Sequence, residues 1–143
     1  MEYAFQVRWG DTDAAGIVFY PNFYKWMDEA SHHFFASLGH STWKWFQEER
    51  IGIPIVEAKC QFLAPLFFED HVCVKSSIAD LREKSFRIQH QFFRGDQLVA
   101  DGYEVRVWTT FAGGRPKAAP IPAELRENVR QTAAMITHKE GQG

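Results

Sequence analysis

Asp11 and Asp13 stand in a small-residue turn, Gly10-Asp11-Thr12-Asp13-Ala14-Ala15-Gly16, that runs straight into Ile17-Val18-Phe19-Tyr20-Pro21. Pro21 suits the first turn of a helix, where its missing N–H is no loss. The backbone N–H groups from Gly16 to Tyr20 then gather at a helix N-terminus, able to hold an anion or an oxygen that turns anionic during a reaction. Gly10 and Gly16 let the chain fold back and bring the Asp13 carboxylate to those donors. A carboxylate beside such donors is a minimal acyl-transfer site. Two plainer readings stand beside it: Asx-turn or capping aspartates, and half of a metal site whose further oxygen ligands are not evident nearby.

The elements that would carry this junction are legible in the pattern. Residues 2–9 alternate as a first strand, with Tyr3, Phe5, Val7 and Trp9 on one side. Over residues 20–38 the apolar positions Phe23, Met27, Ala30, Phe34 and Leu38 recur at helical steps, and Gly39 marks the stop. Phe19, Tyr20, Tyr24, Trp26 and Phe35 lie on other faces, so this helix is expected to be enclosed on most sides. A shorter helix over 41–49, with Ser41 as N-cap, is broken by Gly52 and Pro54. Strands follow at 55–63, 71–81, 85–94 and 98–111, the last with Val99, Tyr103, Val105 and Val107 set against Glu104 and Arg106. The connectors at 64–66, 82–84 and 94–96 are short enough for antiparallel neighbours. Pro120 and Pro122 precede a last helix over about 123–135, and residues 138–143 read as a flexible tail after a single domain of 1–137. The long helix is about 28 Å at about 1.5 Å per residue, and the strands about 30 Å at about 3.3 Å per residue. Equal lengths point to an α+β fold, an antiparallel sheet wrapped around a long central helix.

Composition narrows the function. A chain of 143 residues with 45% apolar content can bury a core unaided. Net charge −2 and a pI near 6.3 carry no electrostatic footprint for nucleic acid or an anionic membrane. Cys60 and Cys73 fall in apolar stretches without CxxC spacing and read as buried, reduced thiols of a cytoplasmic protein; there is neither a leader pattern nor an apolar run long enough to span a membrane. Aromatic residues are 15%, with 13 Phe and 5 Trp, more flat surface than the core needs, so part of it is expected to face a ligand or another subunit.

The run Gly10-Asp11-Thr12-Asp13-Ala14-Ala15-Gly16-Ile17-Val18-Phe19-Tyr20-Pro21-Asn22-Phe23, followed by Trp26-Met27-Asp28 and Ala30-Ser31, closely resembles the signature of the 4-hydroxybenzoyl-CoA thioesterase family. Pro54-Ile55-Val56 and Lys84-Ser85-Phe86 extend the likeness over nearly the whole chain. The resemblance implies a hotdog fold and hydrolysis of an acyl-CoA thioester, the CoA ester being substrate and no cofactor being used. It implies Asp13 as nucleophile or general base and the Tyr20 backbone N–H as the donor that polarises the thioester carbonyl. It places Gly16, Phe19, Phe23, Asp28 and Trp43 near the acyl group and Arg82, Lys84 and Ser85 near coenzyme A. Pro21 stands where relatives acting on short acyl-CoAs carry a histidine, which favours an arylcarbonyl group such as hydroxybenzoyl or dihydroxybenzoyl, gentisyl-CoA among them. A short or branched aliphatic thioesterase and a non-catalytic acyl-CoA-binding module remain alternatives. The family pairs its sheets in dimers that share active sites, often as dimers of dimers.

The remaining candidates have plain readings too. His32 and His33 are adjacent on a helix, and His40, His71, His90 and His138 have no metal spacing. Asp28 can hold a ring hydroxyl or be a solvated helix carboxylate; Glu57 and Lys59 can be interface charges. Arg82, Lys84, Arg87 and Arg94 are expected to cluster near one hairpin, with Arg115 and Lys117 after Gly113-Gly114. Some of these would bind the phosphoryl groups of coenzyme A.

Overall fold

In a computed structural model, the chain forms β1 (Glu2–Gln6), α1 (Pro21–Ser37), α2 (Thr42–Glu49), β2 (Ile51–Gly52), β3 (Ile55–Phe62), β4 (His71–Leu81), β5 (Ser85–Arg94), β6 (Gln97–Val107), β7 (Thr109–Thr110), β8 (Lys117–Ala118) and α3 (Ala123–Gln142). The structure describes residues 1–142; Gly143 and the side chains of 134–142, His138 included, lie outside the described residues. A five-stranded antiparallel sheet, ordered β1-β4-β5-β6-β3, curls around α1, and β2, β7 and β8 make a small second sheet.

Several expectations need correcting. The first strand stops at Gln6, because residues 9–11 turn into a single 3-10 coil that leaves Trp9 exposed. β3 pairs with β6 rather than β4, so the 64–66 connector does not join neighbours; it crosses one end of the sheet. There Leu63 and Ala64 donate to the Val99 carbonyl, and Val18 donates to that of Leu66. The last long strand breaks at Trp108, whose N–H turns to the Lys84 carbonyl, and the chain restarts as β7 beside β2. α3 continues well past 135. Cys73 is half-buried, whereas Cys60 is buried, and both are free thiols.

The largest difference is on β6, whose alternation is inverted. Glu104 and Arg106 are the inward residues, 1% and 3% exposed, while Tyr103, Val105 and Val107 are only half-buried. Two conditions make this possible. Gly102 leaves room for α1, since a Cβ there would come within 2.8 Å of the Met27 Sδ and 2.6 Å of the Lys59 carbonyl oxygen. Beyond it the helix offers polar partners. Arg106 grips Glu104 with Nε at 3.0 Å and Nη2 at 3.2 Å, reaches Asp28 at 2.6 Å, and donates to the Ile53 carbonyl at 2.8 Å. Glu104 also accepts from the Ser31 hydroxyl. His90, wholly buried, lies between Ser31 at 3.0 Å and Ser76 at 2.7 Å. This polar seam divides two apolar clusters along α1. Phe23, Trp26, Met27 and Ala30 pack with Val72, Val74 and Phe92, while Phe34 and Phe35 pack with Phe86, Ile88, Trp108 and Leu125.

The seam sets its own ionisation. Asp28, hydrogen-bonded first by His32 and then by Arg106, is lowered to about 2 against the opposing effect of partial burial. Burial alone would push the Glu104 carboxyl up, but hydrogen bonds from His90 and Ser31 and the Arg106 charge outweigh it and hold it below its usual value. Both carboxyls therefore titrate lower in the fold than in the unfolded chain. Their stabilisation is complete above the ordinary carboxyl values near 4 and is lost as pH falls below them, for Asp28 towards about 2. Arg106→Met leaves two carboxylates without their cation, and we expect a loss of about 3–5 kcal/mol in urea unfolding at neutral pH. Repeating the titration at lower pH should give a shallower dependence for the variant than for wild type, because the depressed carboxyl values are what create it. Equal slopes would show that Arg106 does not set them.

Candidate active site

Asp13 sits on a short hairpin-like arm. Thr12 and Val18 face one another as an antiparallel bridge, Asp13 N–H donates to the Ile17 carbonyl at 2.9 Å, and Gly16 N–H donates to the Asp13 carbonyl at 2.9 Å. Gly16 closes this turn at φ +80°, a left-handed conformation that side chains disfavour. One carboxylate oxygen of Asp13 accepts from Ala15 N–H at 2.9 Å, an Asx turn, and the side chain is exposed. Asp11 faces elsewhere: its carboxylate accepts from Arg8 N–H at 2.8 Å.

Of the donors expected at the helix start, most are spent. Gly16 N–H goes to Asp13, Val18 N–H to Leu66 and Phe19 N–H to the Asp11 carbonyl. Pro21 has none, and the next two N–H groups fold back, Asn22 to the Phe19 carbonyl and Phe23 to that of Tyr20. Tyr20 N–H, at the N-cap, has no acceptor among the described residues. Tyr20 is 60% exposed, and its ring meets Phe62 edge-on at 6.0 Å. An open cavity of about 670 Å³ begins there, walled by Ile17, Val18, Tyr20, Phe23 and Phe62 and by residues 63–66 of the crossing connector. A free backbone donor thus lies at the mouth of an apolar, aromatic groove, with a carboxylate on the adjoining arm.

The other sequence-derived candidates do not join this group within one chain. Phe23 lines the groove, whereas Phe19 lies outside the walls with its ring against Tyr20. Asp28 is turned to Arg106 and to His32 at 3.3 Å, so it is neither a free carboxylate nor part of the groove. Trp43 lines a second, smaller cavity of about 370 Å³ with His32, Trp45, Phe46 and Ile53. Arg82 and Lys84 occupy the β4–β5 turn, and Ser85 opens β5. There the Arg126 guanidinium donates to the Arg82 and Glu83 carbonyls at 2.5 and 2.6 Å, and Arg82 is engaged by Asp80 at 3.0 Å. The Lys84 side chain is exposed and meets no hydrogen-bond or ion-pair partner among the described residues.

Strand registers place these two groups at opposite ends. Ser85 lies opposite Val107, and Ile55 opposite Arg106, so the β4–β5 turn, Arg106 and Asp28 share the Ile55 end of the edge strand β3. Asp13, Tyr20 and Phe23 share the Phe62 end. Arg94 does not cluster with Arg82, Lys84 and Arg87 as expected, because β5 carries it about 30 Å from the β4–β5 turn and about 23 Å from Arg87 at about 3.3 Å per residue. It holds the groove's connector instead, donating to Asp70 at 2.8 Å and to the Pro65 carbonyl at 3.1 Å. Arg87 lies over the Tyr103 ring and near Glu57 at 3.8 Å on the outer sheet face. Sequence reasoning missed Arg94 and Asp70 as wall supports, and also Asn22, whose amide reaches the Asp11 carbonyl. Asn22 lay inside the recognised motif; for the Arg94 pair no short spacing gives a signal. Among the described residues no group of three or more His, Cys, Asp or Glu is placed to hold a metal, and no helix is long and apolar enough to cross a membrane.

The chain as a whole has similar counterparts. A gentisyl-coenzyme A thioesterase structure superposes with a TM-score of 0.82 at 52% identity, covering 88% of this chain and 99% of that one. The 4-hydroxybenzoyl-CoA thioesterase of Pseudomonas sp. (strain CBS-3) is 35% identical over 129 residues, 85% of this chain and 92% of its own. An aspartate-to-asparagine mutant of 4-hydroxybenzoyl CoA thioesterase, complexed with 4-hydroxybenzoyl CoA, superposes with a TM-score of 0.84 at 32% identity, over 90% of this chain and 97% of that one. Residues 7–129 match the pattern of the thioesterase-like superfamily. With the hotdog fold, the motif and these likenesses in agreement, the chain belongs to the thioesterase-like superfamily and is a thioester hydrolase.

Proposed function

We propose that the enzyme hydrolyses an arylcarbonyl-CoA, a hydroxybenzoyl or dihydroxybenzoyl thioester such as gentisyl-CoA, to the free acid and coenzyme A, with Asp13 and the Tyr20 N–H as its reaction centre. The observation that carries this reading is the free Tyr20 N–H at the mouth of an aromatic groove, beside the arm that holds Asp13. The thioester oxygen takes the Tyr20 N–H as negative charge develops on it. The Asp13 carboxylate acts on the carbonyl carbon, by attack or through a water it activates. The C–S bond breaks, water supplies the acid's second oxygen, and the thiolate departs with little need of an acid because its pKa is already modest. No cofactor enters; coenzyme A arrives as part of the substrate. The names of the relatives, which include gentisyl-CoA, 4-hydroxybenzoyl-CoA and 1,4-dihydroxy-2-naphthoyl-CoA enzymes, support an aryl acyl group.

The full site needs two copies. β3 is an open edge carrying exposed Ile55, Val56, Phe62 and Leu63. A second copy added antiparallel at β3 sets its Ile55 end beside this Phe62 end, on the same face of a continued sheet. That brings the partner's Asp28, Trp43, Arg82, Lys84 and Ser85 towards this chain's Asp13 and Tyr20, reuniting the two groups. Asp28, ionised and about half exposed, then accepts a ring hydroxyl, while the exposed Lys84 meets a phosphoryl group. We infer a homodimer of this kind, doubled to a tetramer, working in the cytoplasm on products of aromatic degradation.

Thiol release from benzoyl, hydroxybenzoyl, dihydroxybenzoyl and short aliphatic CoA esters tests the reading. Aryl esters should give the higher kcat/KM, and Asp13→Asn should lower kcat by about 100- to 1,000-fold while the fold is kept. Lys84→Ala should raise KM about tenfold with kcat changed little, and mixing the two variants should restore activity that neither has alone at low substrate. Preference for aliphatic esters would replace the aryl reading, and tight binding without thiol release would make the chain a binding module.

A further inference from the structure

We propose that Asn22 is a positioning residue for hydrolysis, the side chain that fixes the distance between the Asp13 carboxylate and the Tyr20 N–H. This rests on the reading of Asp13 and Tyr20 as the reaction centre. The two groups belong to different pieces of backbone, the arm and the helix start, and what joins the pieces is the Asp11 carbonyl. That oxygen accepts two bonds, from Phe19 N–H at 2.9 Å and from Asn22 Nδ2 at 2.9 Å. The first closes the base of the arm. The second ties the base to the first turn of α1, two residues beyond Tyr20. Among the described residues no other side chain of that turn hydrogen-bonds the arm.

The polarity of the bond separates this role from helix capping. A capping side chain accepts from the unpaired N–H groups of the first turn. Asn22 donates, away from the helix and into the loop, so its amide leaves those donors as they were. Its backbone N–H also returns to the Phe19 carbonyl at 3.0 Å, so the residue holds both sides of the Phe19-Tyr20 step. The far side of the arm is tied independently, by Val18 N–H to Leu66 at 2.9 Å and by the Ile17–Phe67 bridge. Losing the Asn22 amide therefore leaves the arm in place but free to shift relative to Tyr20. A displacement near 1 Å between reacting groups can cost about 100-fold in rate.

Asn22→Leu, which keeps the size and removes the donor, and Asn22→Ala should lower kcat for the preferred CoA ester about 10- to 100-fold, with KM within about threefold and the thermal midpoint well above the assay temperature. Combined with Asp13→Asn, the Asn22→Leu change should slow the enzyme less than about threefold further, because the distance it guards no longer matters. Wild-type kcat in both single variants, a full multiplicative penalty in the double variant, or failure of both variants to fold would each overturn the proposal and leave Asn22 a structural residue. An Asp13→Asn enzyme as fast as wild type would instead overturn the reading of the reaction centre, and this proposal with it.

Discussion

The buried Arg106 guanidinium is the constraint on which the rest of the chain arranges itself. It spends bonds on both oxygens of Glu104, on Asp28 and on the Ile53 carbonyl, which ties a sheet strand, the central helix and the segment leading into β3 to one cation. Such a cluster is a poor source of net stability, because each ion must be stripped of water. It is a strong source of uniqueness. A helix packed on a curled sheet by apolar contacts alone can slide by a turn at small cost, whereas a slide here would strand charges in the interior. With α1 pinned part-way along its length, the place of its N-terminus is determined, and with it Tyr20.

At that N-terminus the logic changes from packing to donor economy. Among the described residues the N–H groups of Gly16, Val18, Phe19, Asn22 and Phe23 are spent within the loop, the first helical turn or the 63–70 connector, while that of Tyr20, at the helix start, has no acceptor. The spent donors hold the loop's shape, and the one left open at the helix N-terminus is placed to attract an oxygen at the groove. The connector earns its place in the same way. Arg94 and Asp70 brace it from the end of β5, and Val18 N–H bonds its Leu66 carbonyl, so the segment that walls the groove also borders the arm.

The parts that were legible in the sequence are those with a local physical cause. Pro21 opens α1, and the Ser41 side chain accepts from Lys44 N–H at the start of α2. The bounds of β4 and β5 follow from the turns beside them. The carboxylate and the helix start were recognisable because they lie within one short motif. What was not legible depended on neighbours distant in the chain. Glu104 and Arg106 read as the wet side of β6, since charged residues in alternation ordinarily face water. Asp28 and Ser31 on the helix, His90 on β5 and the room left at Gly102 reverse that. The crossing of 63–70 was hidden for the same reason: its length suits a hairpin, and its partners are Val99 and the arm around Val18.

Asp28 shows how the structural seam and the chemistry meet. Its carboxyl is held at about 2 by His32 and Arg106, so near neutral pH it is an acceptor only and has no proton to give. A group fixed in that state discriminates by what it is offered. A phenolic O–H can donate to it; an unsubstituted ring cannot, and leaves a partly desolvated carboxylate facing carbon. In the proposed two-copy site, that penalty would fall on the wrong substrate rather than rewarding the right one, which is how polar sites reach selectivity that apolar fit alone cannot. In the proposed site, the seam that keeps α1 in register also keeps Asp28 in the ionised form that an aryl hydroxyl requires.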